Sequence, residues 1–217
     1  MDWQMLEGLV DEDRRRVLSA TRRRHYSRGE VLFHEGDAGT ALHMLSRGRV
    51  AVRASTPYGN VVTLSVLGPG DVFGELALVR PRHERTATVV ALEPVETATL
   101  DWEAFDQLRR LHPSVEHFLV TVLAARVARL SAHLVEALHV PAEQRVLRRL
   151  LALVRLYRDG PLPIAVPLTQ EDLASLAGTT RPTANRVLRQ MEELGALRLT
   201  RGRVEILDLE PLRRHAG

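Results

Sequence analysis

The chain has 217 residues, 45% hydrophobic but only 4% aromatic, and its 30 basic and 27 acidic residues leave a formal charge of +3. It contains no cysteine, which excludes disulfides, thiolate zinc sites, cysteine-ligated iron–sulfur clusters and a cysteine nucleophile. No stretch reads as a signal peptide or as the roughly 20 apolar residues of a membrane span, so a cytoplasmic protein with a Leu, Val and Ala core is expected.

All the basic residues are arginine. From Pro141 onward there are 13 arginines against 9 acidic residues, whereas the 17 arginines before it meet 18. The positive excess therefore lies in the C-terminal third, where it fits either a solvated surface or a polyanion-binding face.

In chain order, Met1 to Arg24 reads as short helices, with Leu6, Leu9, Val10, Val17 and Leu18 as apolar positions. From His25 the texture becomes β-prone. Val31 to Phe33, Leu42 to Leu45, Val50 to Val52 and Val61 to Leu67 are short apolar runs separated by glycines, and the pattern continues to Leu100. Such spacing predicts a β-roll or barrel. Within it lies Phe73-Gly74-Glu75-Leu76-Ala77-Leu78, followed by Arg85-Thr86-Ala87. A glycine lets backbone N–H groups approach a phosphate, an arginine neutralises it, and a carboxylate accepts from a ribose hydroxyl. A structural Glu75–Arg85 ion pair would explain the same two residues.

Pro113 opens a long helix reaching about Leu138. Leu123, Val127, Leu130, Leu134 and Ala137 are spaced 4, 3, 4 and 3 residues apart, a seam that suits a parallel partner helix or packing on its own domain. Pro141 breaks the pattern and marks a hinge. A helix from Ala142 to Tyr157 follows, with Val146, Leu147, Leu150, Leu151 and Val154 on its apolar face. After the turn at residues 160–163 comes a short strand, Ile164 to Pro167.

Thr169 is an N-cap with Asp172 three residues on. Leu173, Leu176 and Ala177 form a buried face, Gly178 makes the turn, and Thr180 and Pro182 start a second helix whose Val187, Leu188, Met191 and Leu194 face inward. This is the spacing of a helix-turn-helix. Outward arginines and an asparagine can read guanine and adenine edges. Leu197 to Leu207 forms a wing hairpin around Arg201-Gly202, with Arg198 and Arg203 adding to its basic edge. The nine histidines show no close ligand spacing, so no metal site is expected, and no nucleophile–base arrangement points to an enzyme.

Taken together, these motifs resemble the CRP/FNR superfamily of bacterial transcription regulators, over nearly the whole chain and in the same order. The resemblance implies an α+β fold. Residues 1–112 would be a β-roll sensor, a cyclic-nucleotide-binding-like double-stranded β-helix. Residues 113–140 would be a dimerisation helix and hinge, and 141–217 a winged helix-turn-helix. It implies Glu75 as ribose ligand, Arg85 and Thr86 as cyclic-phosphate ligands, and Gly74, Leu76 and Ala77 as cassette lining. Leu64 and Ser65 would lie near the purine, and Ser131 would contact it across two subunits. The implied DNA contacts are Thr169, Gln170, Thr180, Arg181, Thr183, Asn185, Arg186, Arg189 and Arg201.

The expected partners are a palindromic DNA operator, a second copy of the chain, a cyclic nucleotide (cyclic AMP first) and RNA polymerase, with no membrane and no covalent or metal cofactor. Two positions depart from the best-known cyclic-AMP-responsive member: Leu130 replaces a threonine beside the purine, and Pro182 replaces a base-reading glutamate. A ligand-independent regulator set by its expression level is the second reading. A nucleotide-binding regulatory module without DNA binding is the third.

Overall fold

The computed structural model describes residues 10–76, 84–158 and 160–217. Met1 to Leu9, Ala77 and Leu78, all used in the expectations above, lie outside the described residues. The chain divides into two compact units: Met1–Val61 with Ser65–Leu130, and Val62–Leu64 with Ser131–Gly217.

The first unit begins with helix α1 (Asp11–Ser19), whose three acidic residues in the first turn complement the helix dipole. The expected helix does not continue to Arg24, because Arg22–Tyr26 is strand β1. It pairs antiparallel with β8 (Val95–Asp101), placing His25 opposite Glu96. Arg23 and His25 lie 3.7 and 3.6 Å from Glu96. The helix-tolerant arginines are recruited by an available strand edge, so tertiary pairing overrides local propensity.

Strands β2 (Val31–Phe33), β3 (Ala41–Arg47), β4 (Val50–Ser55), β5 (Val61–Leu67), β6 (Val72–Phe73) and β7 (Thr88–Ala91) complete the roll. One sheet runs β1-β8-β3-β6 and the other β2-β7-β4-β5. Strand β3 is buried on both faces. Leu42 and Met44 join Val17, Leu100, Phe105 and Leu119 in one core cluster. Leu45, one residue out of phase, joins Val50, Leu67, Phe73 and Val89 in the other. The period-2 geometry of a strand divides its side chains between the two clusters.

Helix α2 (Trp102–Leu111) was not signalled by the β-like texture before it; Phe105 anchors it in the core. Helix α3 (Pro113–His139) then runs 27 residues, as the apolar spacing after Pro113 predicts. Its Leu119 and Val122 are buried in the first unit's core, with Leu123 partly buried beside them. By contrast Val127, Leu130 and Leu134 are 60–63% exposed, and Ala137 is exposed too.

In the second unit, helix α4 spans Ala142–Tyr157 and buries Val146, Leu147, Leu150, Leu153, Val154 and Tyr157. Leu153 takes the buried place expected for Leu151, which is half-buried. Strand β9 (Ile164–Val166) pairs with β11 (Arg203–Ile206), which pairs with β10 (Leu197–Thr200). Helices α5 (Gln170–Leu176) and α6 (Arg181–Glu193) precede this wing, and α7 (Glu210–Ala216) follows it. Leu194 departs from expectation: it is the C-cap of α6 and 53% exposed, while Ala184 is fully buried on the inner face.

Among the described residues, no helix is long and apolar enough to cross a membrane, and no cluster of His, Asp and Glu could hold a metal ion.

Candidate functional site

The first unit holds a cleft of about 40 Å³ whose lining includes Phe33, Gly74, Glu75, Leu76, Arg85, Thr86 and Arg126. The β-strands bring the expected cassette residues Gly74, Glu75 and Leu76 to Arg85 and Thr86. Leu64, Ser65 and Ser131 are not among its lining residues.

Gly74 has φ +83°, and a Cβ there would stand 2.4 Å from Arg85 Nη1 and 3.2 Å from the Ala41 carbonyl oxygen. Glycine is therefore required on both conformational and steric grounds. Arg85 Nη1 donates to the Gly74 carbonyl at 3.0 Å and Nη2 to the Ala41 carbonyl at 2.8 Å. Arg85 is 6% exposed. Burial pulls its pKa below the usual arginine value, against the opposing charges of Asp37 and Glu75; a guanidinium remains charged even so.

Glu75 is fully buried, and it does not form the ion pair with Arg85 that the sequence alone allowed. Its Oε1 accepts from Arg126 Nη1. Arg126 lies on α3, and sequence reasoning missed it. The available signal was that its neighbours three and four residues away are Val122, Leu123, Arg129 and Leu130, none of which supplies a carboxylate. An arginine in an apolar stretch without a helical partner must find one elsewhere or face water.

Two polar atoms of this cleft, Glu75 Oε2 and Arg85 Nε, are buried without a hydrogen-bond partner. Leaving such groups unmade is costly, so the cleft presents one acceptor and one cationic donor to a ligand carrying a hydroxyl and an anionic oxygen.

Behind Arg85 lies a second residue that sequence reasoning missed. His43 is 5% exposed, and its ring stacks on Phe73 at 5.0 Å. Burial, followed by the charges of Arg85 and Arg24, lowers its pKa from 6.5 to about 3. The unfolded chain therefore takes up this proton before the folded one does. Stability should be unaffected above pH 6.5, then fall by about 1.4 kcal/mol per pH unit as pH drops toward 3. A loss of about 2 kcal/mol between pH 7 and pH 5 is expected in urea titrations, and it should be much reduced in His43→Phe. An equal pH slope in both proteins would refute this origin.

In the second unit, the sequence chemistry is met closely. Thr169 Oγ1 accepts from the Asp172 N–H at 3.1 Å, and the Asp172 carboxylate accepts from the Thr169 N–H at 3.1 Å, a complete capping box. Thr180 caps α6, with Pro182 in its first turn, and Gly178 takes φ +59° at the bend.

A groove of about 430 Å³ is lined by Thr169, Gln170, Arg181, Thr200, Arg201 and Arg203 among others. It brings the N-terminal ends of α5 and α6 beside the wing. Asn185 donates to Gln170 Oε1 at 2.7 Å, which fixes both amides. Arg181, Arg186 and Arg189 are exposed, and Thr183 is half-buried. Arg186 pairs with Glu143 of α4, and Arg189 with Glu192, each at 2.7 Å. On the wing, Glu205 lies 3.7 Å from Arg198 and 2.7 Å from Arg203, so the basic edge expected there is partly neutralised from within. Arg201 stands at the exposed tip.

Comparison with known proteins agrees with this geometry. Residues 23–112 match the cyclic nucleotide-binding domain family, and residues 144–215 match the Crp-like helix-turn-helix domain family. The "Cyclic AMP receptor protein" of Thermus thermophilus is 37% identical over 202 residues, covering 93% of this chain and 91% of that protein. This chain belongs to the CRP/FNR family.

A second relative, the "CRP-like cAMP-activated global transcriptional regulator" of Mycobacterium tuberculosis, is 31% identical over 194 residues, covering 88% of this chain and 86% of its own length. The crystal structure of the Thermus thermophilus catabolite activator protein is 36% identical, with a TM-score of 0.55 over 98% of this chain and 97% of that one. As a CRP/FNR protein, the chain is a DNA-binding transcription regulator with a cyclic nucleotide-binding domain in its first unit. Its helix-turn-helix and wing are the DNA-binding module.

Proposed function

We propose that this CRP/FNR regulator is a cytoplasmic homodimer whose binding to a palindromic operator is controlled by a cyclic nucleotide, with cyclic AMP the first candidate. The observation that carries this reading is the pair of buried, unpartnered atoms in the cleft, Glu75 Oε2 and Arg85 Nε. A cyclic phosphate satisfies the arginine and a ribose hydroxyl satisfies the glutamate, so ligand binding removes two desolvation penalties at once. The names of the Thermus and Mycobacterium relatives support cyclic AMP. The exposed seam of Val127, Leu130 and Leu134 supports pairing of two α3 helices, since apolar faces of this kind mark interaction sites.

Arg126 gives the cleft a route to that helix. A ribose hydroxyl arriving at Glu75 shares or displaces the Arg126 contact, and Arg126 moves with α3. The ligand shifts the DNA-competent state only to the extent that it binds that state more tightly. At the operator, Arg181 and Arg186 are the proposed base readers. Thr169, Thr180, Thr183, Arg189 and Arg201 serve the phosphates, and Gln170 with Asn185 forms a linked amide pair. Two recognition helices would enter successive major grooves about 34 Å apart. RNA polymerase is the proposed onward partner.

Calorimetric titration with cyclic AMP and cyclic GMP, paired with operator selection in the presence and absence of each, tests the reading. Wild-type protein should show nucleotide-stimulated binding, and Glu75→Ala or Arg85→Ala should abolish the stimulation. Unchanged stimulation in both variants would sink the pocket. Leu130, standing where a polar purine contact is expected, favours the second reading, a regulator that ignores nucleotide. Tight operator binding by the nucleotide-free protein, unaltered by either ligand, would establish it.

A further inference from the structure

The chain has only 4 phenylalanines, and 2 of them, Phe33 and Phe73, stand with His43 behind Arg85. The Phe33 ring centroid is 5.6 Å from that of His43 and 6.0 Å from that of Phe73. His43 and Phe73 stack at 5.0 Å with 11° between their planes. The Arg85 guanidinium carbon lies 4.1 Å from the Phe33 centroid. Two backbone carbonyls, those of Gly74 and Ala41, hold the guanidinium through Nη1 and Nη2, and an aromatic ring takes its face. A cation over a ring is attracted by the ring quadrupole, more strongly when both are out of water. His43, kept neutral by its burial, adds no competing charge beside the arginine.

We infer that Phe33 is a positioning residue for Arg85, backed by the His43–Phe73 stack, and that its ring face sets the guanidinium plane so that Nε stays available to an anionic oxygen. This rests on the cleft being a phosphate site, and it adds a residue that the cassette motif does not contain. Leucine at 33 would preserve apolar bulk but offer no π-face. Tyrosine would preserve the face.

The test compares wild-type protein with Phe33→Leu and Phe33→Tyr in two measurements. The first is the Arg85 Nε–Hε resonance of the nucleotide-free protein, assigned by its loss in Arg85→Lys. Ring current should shift it upfield in wild type and Phe33→Tyr but not in Phe33→Leu. The second is cyclic AMP affinity by calorimetry, expected to weaken about tenfold in Phe33→Leu and to stay near wild type in Phe33→Tyr. Wild-type affinity in the leucine variant, or equal weakening in both variants, overturns the inference, because either result leaves the ring face no specific role. If wild-type protein binds no nucleotide, the phosphate reading fails by itself, and the resonance still decides: an unshifted wild-type signal overturns the positioning role, and a shift lost only in Phe33→Leu supports it.

Discussion

Replacing Arg126 by alanine should cost the first unit about 3–5 kcal/mol of stability, because the change leaves the Glu75 carboxyl group buried without the cation it pairs with. Glu75 has no exposure, and the Arg126 side chain is itself only 20% exposed, so solvent screens the pair little. Its second oxygen already lacks a partner, and the nearby Arg85 has Nη1 and Nη2 committed to the Gly74 and Ala41 carbonyls. The double variant Glu75→Gln, Arg126→Met removes both charges and should recover most of the loss, since a buried pair is worth little against an uncharged replacement of similar shape. Urea titration of the single and double variants measures the coupling. A single variant within 1 kcal/mol of wild type would mean that the ion pair is not the buried contact described above.

The second large effect is expected at Arg145. Its Nη1 donates to the carbonyls of Ala137 and Val140 at 3.2 and 2.8 Å. Its Nε and Nη2 donate to those of Ala177 and Gly178, each at 2.9 Å. These four acceptors lie at the C-terminal ends of α3 and α5, where helices leave carbonyls unsatisfied and favour positive charge. One guanidinium thus joins the break at Pro141 to the bend of the helix-turn-helix. Arg145→Ala should lower the second unit's stability by about 3 kcal/mol, given that hydrogen bonds to charged groups contribute about 1.5–3 kcal/mol each and do not add fully. Arg145→Lys should recover less than half, because an ammonium on one stem lacks the planar fork needed to serve both sides. Thermal unfolding checks this, and a lysine variant as stable as wild type would refute the clamp.

The features that could be read from the chain were those whose chemistry is local. Thr169 with Asp172, Gly178 and Pro182 announce themselves within a few residues and stand where their spacing indicated, as does the apolar face of Ala142–Tyr157 except that Leu153 is buried in place of Leu151. What could not be read depends on distant partners. Glu75 and Arg126 are 51 residues apart, and no local rule matches one with the other. His43 and Phe73 belong to adjacent strands, β3 and β6, and their stacking follows from register that only the folded roll fixes. Arg22 to Arg24 form a strand because β8 offers an edge, a fact absent from their own sequence. Leu194 broke the helical pattern because the helix stops one residue before it, and element ends are where periodicity loses its authority.

The exposed apolar stripe of α3 has a consequence beyond partner choice. If two such stripes close on each other, the folded, paired state gains stability by mass action, and its population depends on how much protein is present. Unfolding midpoints would then rise with protein concentration. Copy number would become an input in its own right: a cell making little of this regulator would hold it as separate chains, while a modest rise in synthesis would be felt more than proportionally at the promoter.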